Sequence, residues 1–197
     1  MTVGSLITIG TSAGGLHALA IVLSGLRPPF DVPVVVVQHR SPSSHDLAHV
    51  LQDSTPLVVE EAEDKVILED GHVYIAPADY HVLVGPGELA LTIDEPVRYS
   101  RPSIDVCFES AAESYGPGLI GVVLTGANQD GCRGARRIAD AGGRVIVQDP
   151  ATAESPTMPL AAAKAVKNAR VLPLEEIAGA LVSMTTMPMQ RVRGGVK

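Results

Sequence analysis

The sequence is short of cysteine, of basic residues and of long apolar runs. Its 197 residues include 2 cysteines, too few for a disulfide framework, and the first ten lack the basic start and apolar run of a signal peptide. No apolar run approaches the roughly 18 residues that a membrane helix needs, since even residues 34–37 are bounded by Pro33 and Gln38. We therefore expect a cytoplasmic protein without membrane insertion.

Charge and length narrow the class further. Fifteen Lys and Arg against 22 Asp and Glu give a formal net charge of −7, which disfavours a nucleic-acid partner because phosphates would be repelled. At this length a single domain is expected, and we place it at residues 1–186. Residues 187–197 contain Pro188, Gly194, Gly195 and three basic residues, which predicts a disordered tail.

Short β-branched runs alternate with segments of helical periodicity. Four runs are predicted as strands: residues 6–10, 34–38, 119–125 and 144–148. Their alternation with helices predicts an α/β fold, a three-layer sandwich around a mostly parallel, doubly wound sheet. Between Leu57 and Asp94, short strands separated by turn signals predict an antiparallel hairpin region at one edge of that sheet.

The turn after the first predicted strand is rich in glycine and contains a serine. Residues 10–15 read Gly-Thr-Ser-Ala-Gly-Gly and satisfy the G-x-S-x-G pattern at a strand-to-helix junction. The helix N-terminus would place unpaired N–H groups beside the Ser12 hydroxyl, where charge develops on an attacked carbonyl oxygen. Ser12 is therefore a candidate nucleophile, and a helix cap is its structural alternative.

A serine nucleophile needs a base and a carboxylate at the same edge of the sheet. His39 directly follows the second predicted strand, and Asp130 lies in the turn after the strand that ends at Thr125. Open α/β sheets place their sites at the carboxyl ends of strands, so these residues are predicted to complete a Ser-His-Asp triad. Taken alone, His39 could be a strand-terminal polar residue and Asp130 a helix N-cap.

An ordered set of motifs carries a resemblance to a known family. The motifs are Gly10-Thr-Ser-Ala-Gly-Gly15, Val37-Gln-His39-Arg40, Tyr74-Ile-Ala-Pro77, Arg101-Pro-Ser-Ile-Asp105, Leu124-Thr-Gly126 through Asp130-Gly131, and Gln148-Asp-Pro150 with Met158-Pro159. From about Leu6 to about Pro173 the chain resembles the catalytic domain of the chemotaxis receptor methylesterase (CheB) family. The resemblance implies a serine hydrolase that demethylates glutamyl methyl esters on chemoreceptor cytoplasmic helices and in some members deamidates glutamines.

The triad of the family carries over onto Ser12, His39 and Asp130. Their order also differs from the Ser, Asp, His order of α/β-hydrolases. No cofactor and no metal is expected. The implied partners are methyl-accepting chemoreceptor cytoplasmic domains, with a separate response regulator or methyltransferase as a further candidate. The sequence contains no receiver domain, so it resembles a stand-alone form, either an excised domain or one regulated differently.

Four further residues are candidates for oxyanion or substrate binding. The backbone N–H groups at Ala13 and Ala127 are expected to stabilise the oxyanion, although the best-known family members have Thr and Met at these positions. Arg101 and Met158 are candidates for substrate contact, and Arg101 could instead anchor a helix. Loss of the threonine hydroxyl at Ala13 removes a possible supporting hydrogen bond.

Two other functions compete with the esterase interpretation. His45 and His49 lie four residues apart on a predicted helix, the spacing that lets both ligate zinc in a metal-dependent hydrolase. No third ligand accompanies them, and a solvated helix face is the simpler explanation. A non-catalytic CheB-like binding domain is the second alternative, against which the intact Ser, His and Asp set argues. Cys132 follows Asp130 at a predicted helix N-terminus and is either a reactive thiol or a small packing residue.

Overall fold

The computed structural model describes residues 4–40 and 46–186, so the predicted tail over residues 187–197 lies outside the described residues. In chain order the strands are β1 (Leu6–Thr11), β2 (Val34–Gln38), β3 (Val58–Glu61), β4 (His72–Ile75), β5 (His81–Gly85), β6 (Glu88–Thr92), β7 (Leu119–Val123), β8 (Arg144–Gln148) and β9 (Arg170–Leu172). The helices are α1 (Gly15–Ser24), α2 (Leu47–Gln52), α3 (Ile104–Tyr115), α4 (Cys132–Asp140), α5 (Thr157–Ala165) and α6 (Leu174–Thr186).

Seven parallel strands form the central sheet in the order β3-β4-β2-β1-β7-β8-β9. The inner strands β1 and β7 are buried along their whole length, as expected of β-branched runs covered on both faces. One apolar cluster joins alternate strand residues such as Ile7 to α1 and α6, and a second joins Leu6 and Val35 to α3 and α4. The predicted three-layer α/β sandwich with a mostly parallel sheet is confirmed.

The segment from Leu57 to Asp94 differs in detail from the expectation. Strands β5 and β6 form the predicted antiparallel hairpin, but it is a separate two-stranded sheet. The hairpin packs on α3, where Ser110 Oγ accepts from the backbone of Val84 and Ser114 Oγ donates to it. Strands β3 and β4 are instead parallel members of the central sheet. The turn at Gly71 therefore does not join two antiparallel strands but directly precedes β4.

The topology gathers several loops at one edge of the sheet. The chain runs from β1 to β2 on one side, whereas β7 lies on the other side of β1. Such a change of direction opens a crevice at the carboxyl ends of the strands, where α/β proteins bind their ligands. Within residues 4–40 and 46–186, no helix combines the length and the apolar character needed to cross a bilayer.

Candidate active site

Ser12 lies in the tight turn between β1 and α1. Its backbone N–H donates to the Thr125 carbonyl over 3.0 Å, and its own carbonyl accepts from the N–H of Gly15 over 2.9 Å. The N-cap residue of α1 is Gly14, which has a φ of 76°, so no side chain caps this helix. The half-buried Ser12 hydroxyl makes no hydrogen bond within the described part of the chain. Ser12 therefore does not cap the helix, and its hydroxyl is available for chemistry.

His39 directly follows the neighbouring strand β2, as Ser12 directly follows β1. The register pairs Thr11 with Gln38, and the N–H of His39 continues the ladder by donating to the Thr11 carbonyl over 3.1 Å. The backbones of Ser12 and His39 therefore continue paired strands that lie about 5 Å apart. The parallel pairing of β1 and β2 thus brings the candidate nucleophile and the candidate base together.

Asp130 completes the arrangement from the loop after β7. Its Oδ2 lies 2.7 Å from His39 Nε2, and its side chain is fully buried while 12% of the His39 side chain is exposed. The carboxylate also accepts bonds of 2.7 to 3.0 Å from Ser103 Oγ and from the backbone N–H groups of Ile104, Asp105 and Gly131. Gly131 precedes α4, so Asp130 is not its N-cap but instead lies at the N-terminus of α3.

These contacts determine the charge state of Asp130. Burial alone would raise its pKa, but the bond from His39 and the N–H groups of Asp105 and Ile104 outweigh burial and lower the pKa below its ordinary value. The positive end of the α3 dipole favours the same anion. A carboxylate in this position can orient the imidazole and stabilise its protonated form.

Asn128 is a site residue that the sequence reasoning did not select. Its Nδ2 lies 3.2 Å from His39 Nδ1, and its Oδ1 accepts the backbone N–H of Asp130 over 3.0 Å. The second contact is an Asx turn, for which an Asn two residues before Asp130 is a recognisable signal. The contact with His39 spans 89 residues and carries no local signal.

The two predicted oxyanion positions face solvent beside this cluster. Ala13 and Ala127 are both exposed, and in residues 4–40 and 46–186 neither backbone N–H makes a hydrogen bond. The N–H of Ser12 is occupied by the Thr125 carbonyl. The Thr125 hydroxyl also donates to the Ala13 carbonyl and accepts the N–H of Ser155, each over 2.8 Å. Thr125, a second residue missed from sequence, thereby fixes the loops that carry the free donors.

The Arg101 guanidinium is hydrogen-bonded to neighbouring loops. Its Nε and Nη2 donate to Asp79 Oδ1 over 3.0 and 2.8 Å, and its Nη1 donates to the carbonyls of Ile93 and Asp94. Arg101 therefore anchors loops, whereas the anchoring role expected from the sequence was that of a helix. Arg101 also lines a cavity of about 400 Å³ that opens beside His39, where a substrate side chain has room to approach the base.

Met158 lies beneath the candidate site. It is fully buried at the start of α5, and its side chain packs against Gly126, where an added Cβ would lie 2.5 Å from Met158 Cε. It has no exposed surface with which to contact a substrate. The expected substrate contact is corrected on this ground: Met158 supports the loop that carries Ala127.

The metal and thiol alternatives find little support in the geometry. His45 lies outside the described residues, and His49 is exposed on the short helix α2. Within the described ranges, no three His, Cys, Asp or Glu side chains are grouped so that they could hold a metal ion. Burial raises the pKa of Cys132, which favours the unreactive thiol. Cys132 thus fits the packing interpretation better than the reactive one.

Comparisons with known proteins match most of the chain. A family model described as CheB methylesterase matches residues 7–181. A Leptospira interrogans protein with a provisional protein-glutamate methylesterase/protein-glutamine glutaminase name is 44% identical over 174 residues, which are 87% of this chain and 90% of that protein. The Myxococcus xanthus protein-glutamate methylesterase FrzG is 43% identical over 179 residues, 90% of this chain and 54% of FrzG.

A solved structure agrees with these matches. The crystal structure of the Thermotoga maritima CheB methylesterase catalytic domain matches with a TM-score of 0.87 and 34% sequence identity. The match covers 92% of this chain and 98% of the Thermotoga chain. The structural similarity therefore extends over most of the chain, and the family match over residues 7–181 includes the three candidate site residues.

Proposed function

The chain belongs to the CheB methylesterase family, and from this premise we propose that it hydrolyses glutamyl methyl esters of proteins through Ser12, His39 and Asp130. The observation that carries the proposal is the 2.7 Å bond between His39 and the buried Asp130 carboxylate, beside the end of β1, which Ser12 directly follows. A nucleophile, a base and an orienting anion are the three groups that acyl transfer by a serine requires.

The first half of the reaction acylates the enzyme. His39 accepts the hydroxyl proton of Ser12 while Ser12 Oγ forms a bond to the ester carbonyl carbon of the substrate. The Nε2–H of His39 remains hydrogen-bonded to the Asp130 carboxylate. The proton from Ser12 therefore goes to the other ring nitrogen, Nδ1. The protonated imidazole then gives this proton to the departing methoxy oxygen, the carbon–oxygen bond to the methoxy group breaks, and methanol leaves.

The second half releases the product. A water molecule gives a proton to His39 Nδ1 and attacks the acyl carbon, after which Ser12 Oγ recovers a proton and leaves. The N–H groups of Ala13 and Ala127 stabilise the oxyanion in both halves, since neither makes a hydrogen bond within the described residues and both lie on loops beside Ser12. At position 127 an alanine can serve as well as a larger residue, because only the backbone N–H is used.

The proposed substrates are methylated glutamates on the cytoplasmic helices of chemoreceptors. The support is the family and the names of relatives, which include a protein-glutamate methylesterase from Myxococcus and relatives named also as protein-glutamine glutaminases. An amide carbonyl can enter the same steps with ammonia as the leaving group, so glutamine deamidation is part of the proposal. A cytoplasmic location follows from that substrate.

Methanol release from a methylated chemoreceptor cytoplasmic fragment tests the proposal. We expect release by the wild-type protein, and a fall of at least about 1,000-fold in Ser12→Ala and in His39→Ala. Ser24→Ala is the matched control, because its hydroxyl only bonds the carbonyl of Ile21 on the far end of α1. Ser12→Ala should leave the melting temperature within about 2 °C, since in the described part of the chain the Ser12 hydroxyl has no hydrogen bond to lose. Activity that survives in Ser12→Ala would contradict the serine mechanism.

A further inference from the structure

Asn128 contacts the atom of His39 that the proposed mechanism uses. His39 Nε2 is bonded to Asp130, so Nδ1 is the nitrogen left to accept the proton of Ser12. Asn128 Nδ2 lies 3.2 Å from that same Nδ1. The nucleophile and the amide of Asn128 therefore compete for one nitrogen.

The hydrogen-bond pattern identifies which groups donate. The backbone N–H of Asp130 can only donate, and it lies 3.0 Å from Asn128 Oδ1, which fixes the orientation of the amide. Asn128 Nδ2 then faces the imidazole and carries only protons, so His39 Nδ1 must present its lone pair. The ring proton is on Nε2 and points at the Asp130 carboxylate. The network thus holds His39 in the tautomer that can act as a base at Nδ1.

The same contact restrains catalysis. A neutral imidazole nitrogen has one in-plane lone pair, which cannot accept two good hydrogen bonds at once. Within the described residues, Ser12 Oγ makes no hydrogen bond in this arrangement. We propose that Asn128 is a positioning residue that withholds Nδ1 of His39 from Ser12 until the amide is displaced, while the bond to Asp130 keeps the imidazole in its reactive tautomer. This inference rests on the proposed function of Ser12 and His39.

Removal of the amide should release the base without disturbing its anchor. The bond between His39 and Asp130 does not involve Asn128, and Asp130 is held in addition by Ser103 and three backbone N–H groups. The tautomer is therefore expected to persist when Asn128 is replaced. Ser12 then has an uncontested acceptor, and its hydroxyl should be activated more often.

Two substitutions at position 128 separate this effect from loop damage. Asn128→Ser keeps a side-chain oxygen that can accept the N–H of Asp130 in the same kind of turn, but the shorter side chain cannot reach His39. Asn128→Ala removes both contacts. Gln129→Ala is the control, because Gln129 is exposed on the same loop and its side chain makes no hydrogen bond within the described residues.

The first readout is the ring ¹⁵N resonances of His39, which report the tautomer and the hydrogen bonding of each nitrogen without any catalysis. In the wild-type protein at pH 8 we expect a protonated Nε2 and an Nδ1 whose resonance is shifted by an accepted hydrogen bond. In Asn128→Ser the Nε2 resonance should stay and the Nδ1 resonance should move toward that of a less bonded acceptor. An Nδ1 resonance equal in both proteins would overturn the inference.

The second readout is the rate at which a fluorophosphonate labels Ser12, a reaction in which Ser12 Oγ bonds to phosphorus, fluoride leaves and His39 takes the proton. We expect labelling to be about threefold to tenfold faster in Asn128→Ser and Asn128→Ala than in the wild type, the value of one competing hydrogen bond. Gln129→Ala should label at the wild-type rate. Equal or slower labelling of both position-128 variants would overturn the inference alone, whereas no labelling of any of the proteins would overturn the proposed function with it.

Discussion

Two carboxyl groups lie buried at the base of the candidate site, and their surroundings move their pKa values in opposite directions. Asp130 has a lowered pKa because its hydrogen bonds outweigh its burial. Asp105 has a raised pKa, chiefly because of burial, with the charge of Asp130 adding to it and the N–H of Gly134 opposing it. Among the residues that the structure describes, Asp105 Oδ2 finds no hydrogen-bond partner, and it lies 3.9 Å from Arg133 Nε. Of the two buried carboxyl groups, only Asp130 has enough hydrogen bonds to stabilise its anionic form.

The raised pKa predicts how Asp105 affects stability. A carboxyl group whose folded-state pKa is raised contributes most below its unfolded pKa, and this contribution is lost as the pH rises through the folded value. Asp105→Asn keeps an oxygen for the N–H of Gly134 and does not titrate. We therefore expect its free energy of unfolding, relative to wild type, to increase between pH 4.5 and pH 8 in urea denaturation. A difference that stays constant across this range would contradict the expectation.

Asp130 predicts the opposite trend and serves as the comparison. A lowered folded-state pKa contributes stability above the unfolded value of the pKa, which is lost as the pH falls through the folded value. Asp130→Asn should therefore be destabilised most near neutral pH and progressively less toward acid. Urea denaturation of both variants over the same pH series measures both slopes, and slopes of the same sign would contradict this assignment of charge states.

Sequence reasoning reached the three candidate triad positions but not the residues around them. Ser12, His39 and Asp130 each follow a strand. Because the strands are parallel, their carboxyl ends lie at the same edge of the sheet, which brings the three residues close together. Asn128 and Thr125 act through contacts with residues 89 and 112 positions away, for which a single sequence holds no pattern. Their roles became visible only when the loops were placed against one another.

At the scale of elements, the first turn of α3 is the support of the site. It supplies the N–H groups of Ile104 and Asp105 to Asp130, and it packs directly on β1 at Gly10. A Cβ on Gly10 would lie 2.3 Å from Ile104 Cγ2. Because a β-branched side chain in a helix has little rotamer freedom, the helix itself would have to move.

Gly10→Ala is therefore expected to impair both folding and catalysis. We predict a loss of about 1–3 kcal/mol in the free energy of unfolding and a fall in methanol release that exceeds the fraction unfolded. The control is Gly179→Ala in α6, where an added Cβ meets nothing within 4 Å. That change should stabilise the protein by about 0.5–1 kcal/mol with activity unchanged. Chemical denaturation with parallel assays measures both, and full activity in Gly10→Ala would contradict the role of α3.

The hairpin region shows where element prediction from sequence reached its limit. The turns at Gly71 and near Gly87 both contain a glycine with positive φ, at 76° and 85°. Only the turn near Gly87 joins two antiparallel strands, β5 and β6. The turn at Gly71 ends the connection from β3 to β4, and these two strands are parallel. Turn chemistry indicates that the chain bends but not which strand it pairs with next, because pairing depends on the distant strand β2.

At the scale of the whole molecule, the last helix closes one of the two apolar layers. Helix α6 buries Ile177 and Leu181 completely, in the cluster that covers the face of the sheet formed by Ile7 and Val34. The family match ends at residue 181 within this helix. We expect the catalytic domain to end with α6, in line with the domain boundary at residue 186 that the sequence predicts.

Two truncations test that boundary. A chain that ends at Thr186 should keep its melting temperature within about 2 °C and keep its methanol release, because it retains all the buried side chains of α6 from Leu174 to Leu181. A chain that ends at Pro173 loses the fully buried Ile177 and Leu181 and the nearly buried Leu174. Each of these side chains contributes about 1.5–3 kcal/mol, and their combined loss is comparable to the stability of an ordinary domain. Thermal unfolding followed by circular dichroism distinguishes them, and a large loss in the first truncation would place the boundary beyond α6.

The central claim is that Ser12 and His39 act as one catalytic unit. The most direct measurement is kcat/KM for methanol release in Ser12→Ala, in His39→Ala and in the protein that carries both changes. Each single change should lower kcat/KM about as far as the two together, because neither residue works without the other. Single losses that multiply in the double variant, or a single variant that keeps more than about a tenth of wild-type activity, would contradict the claim.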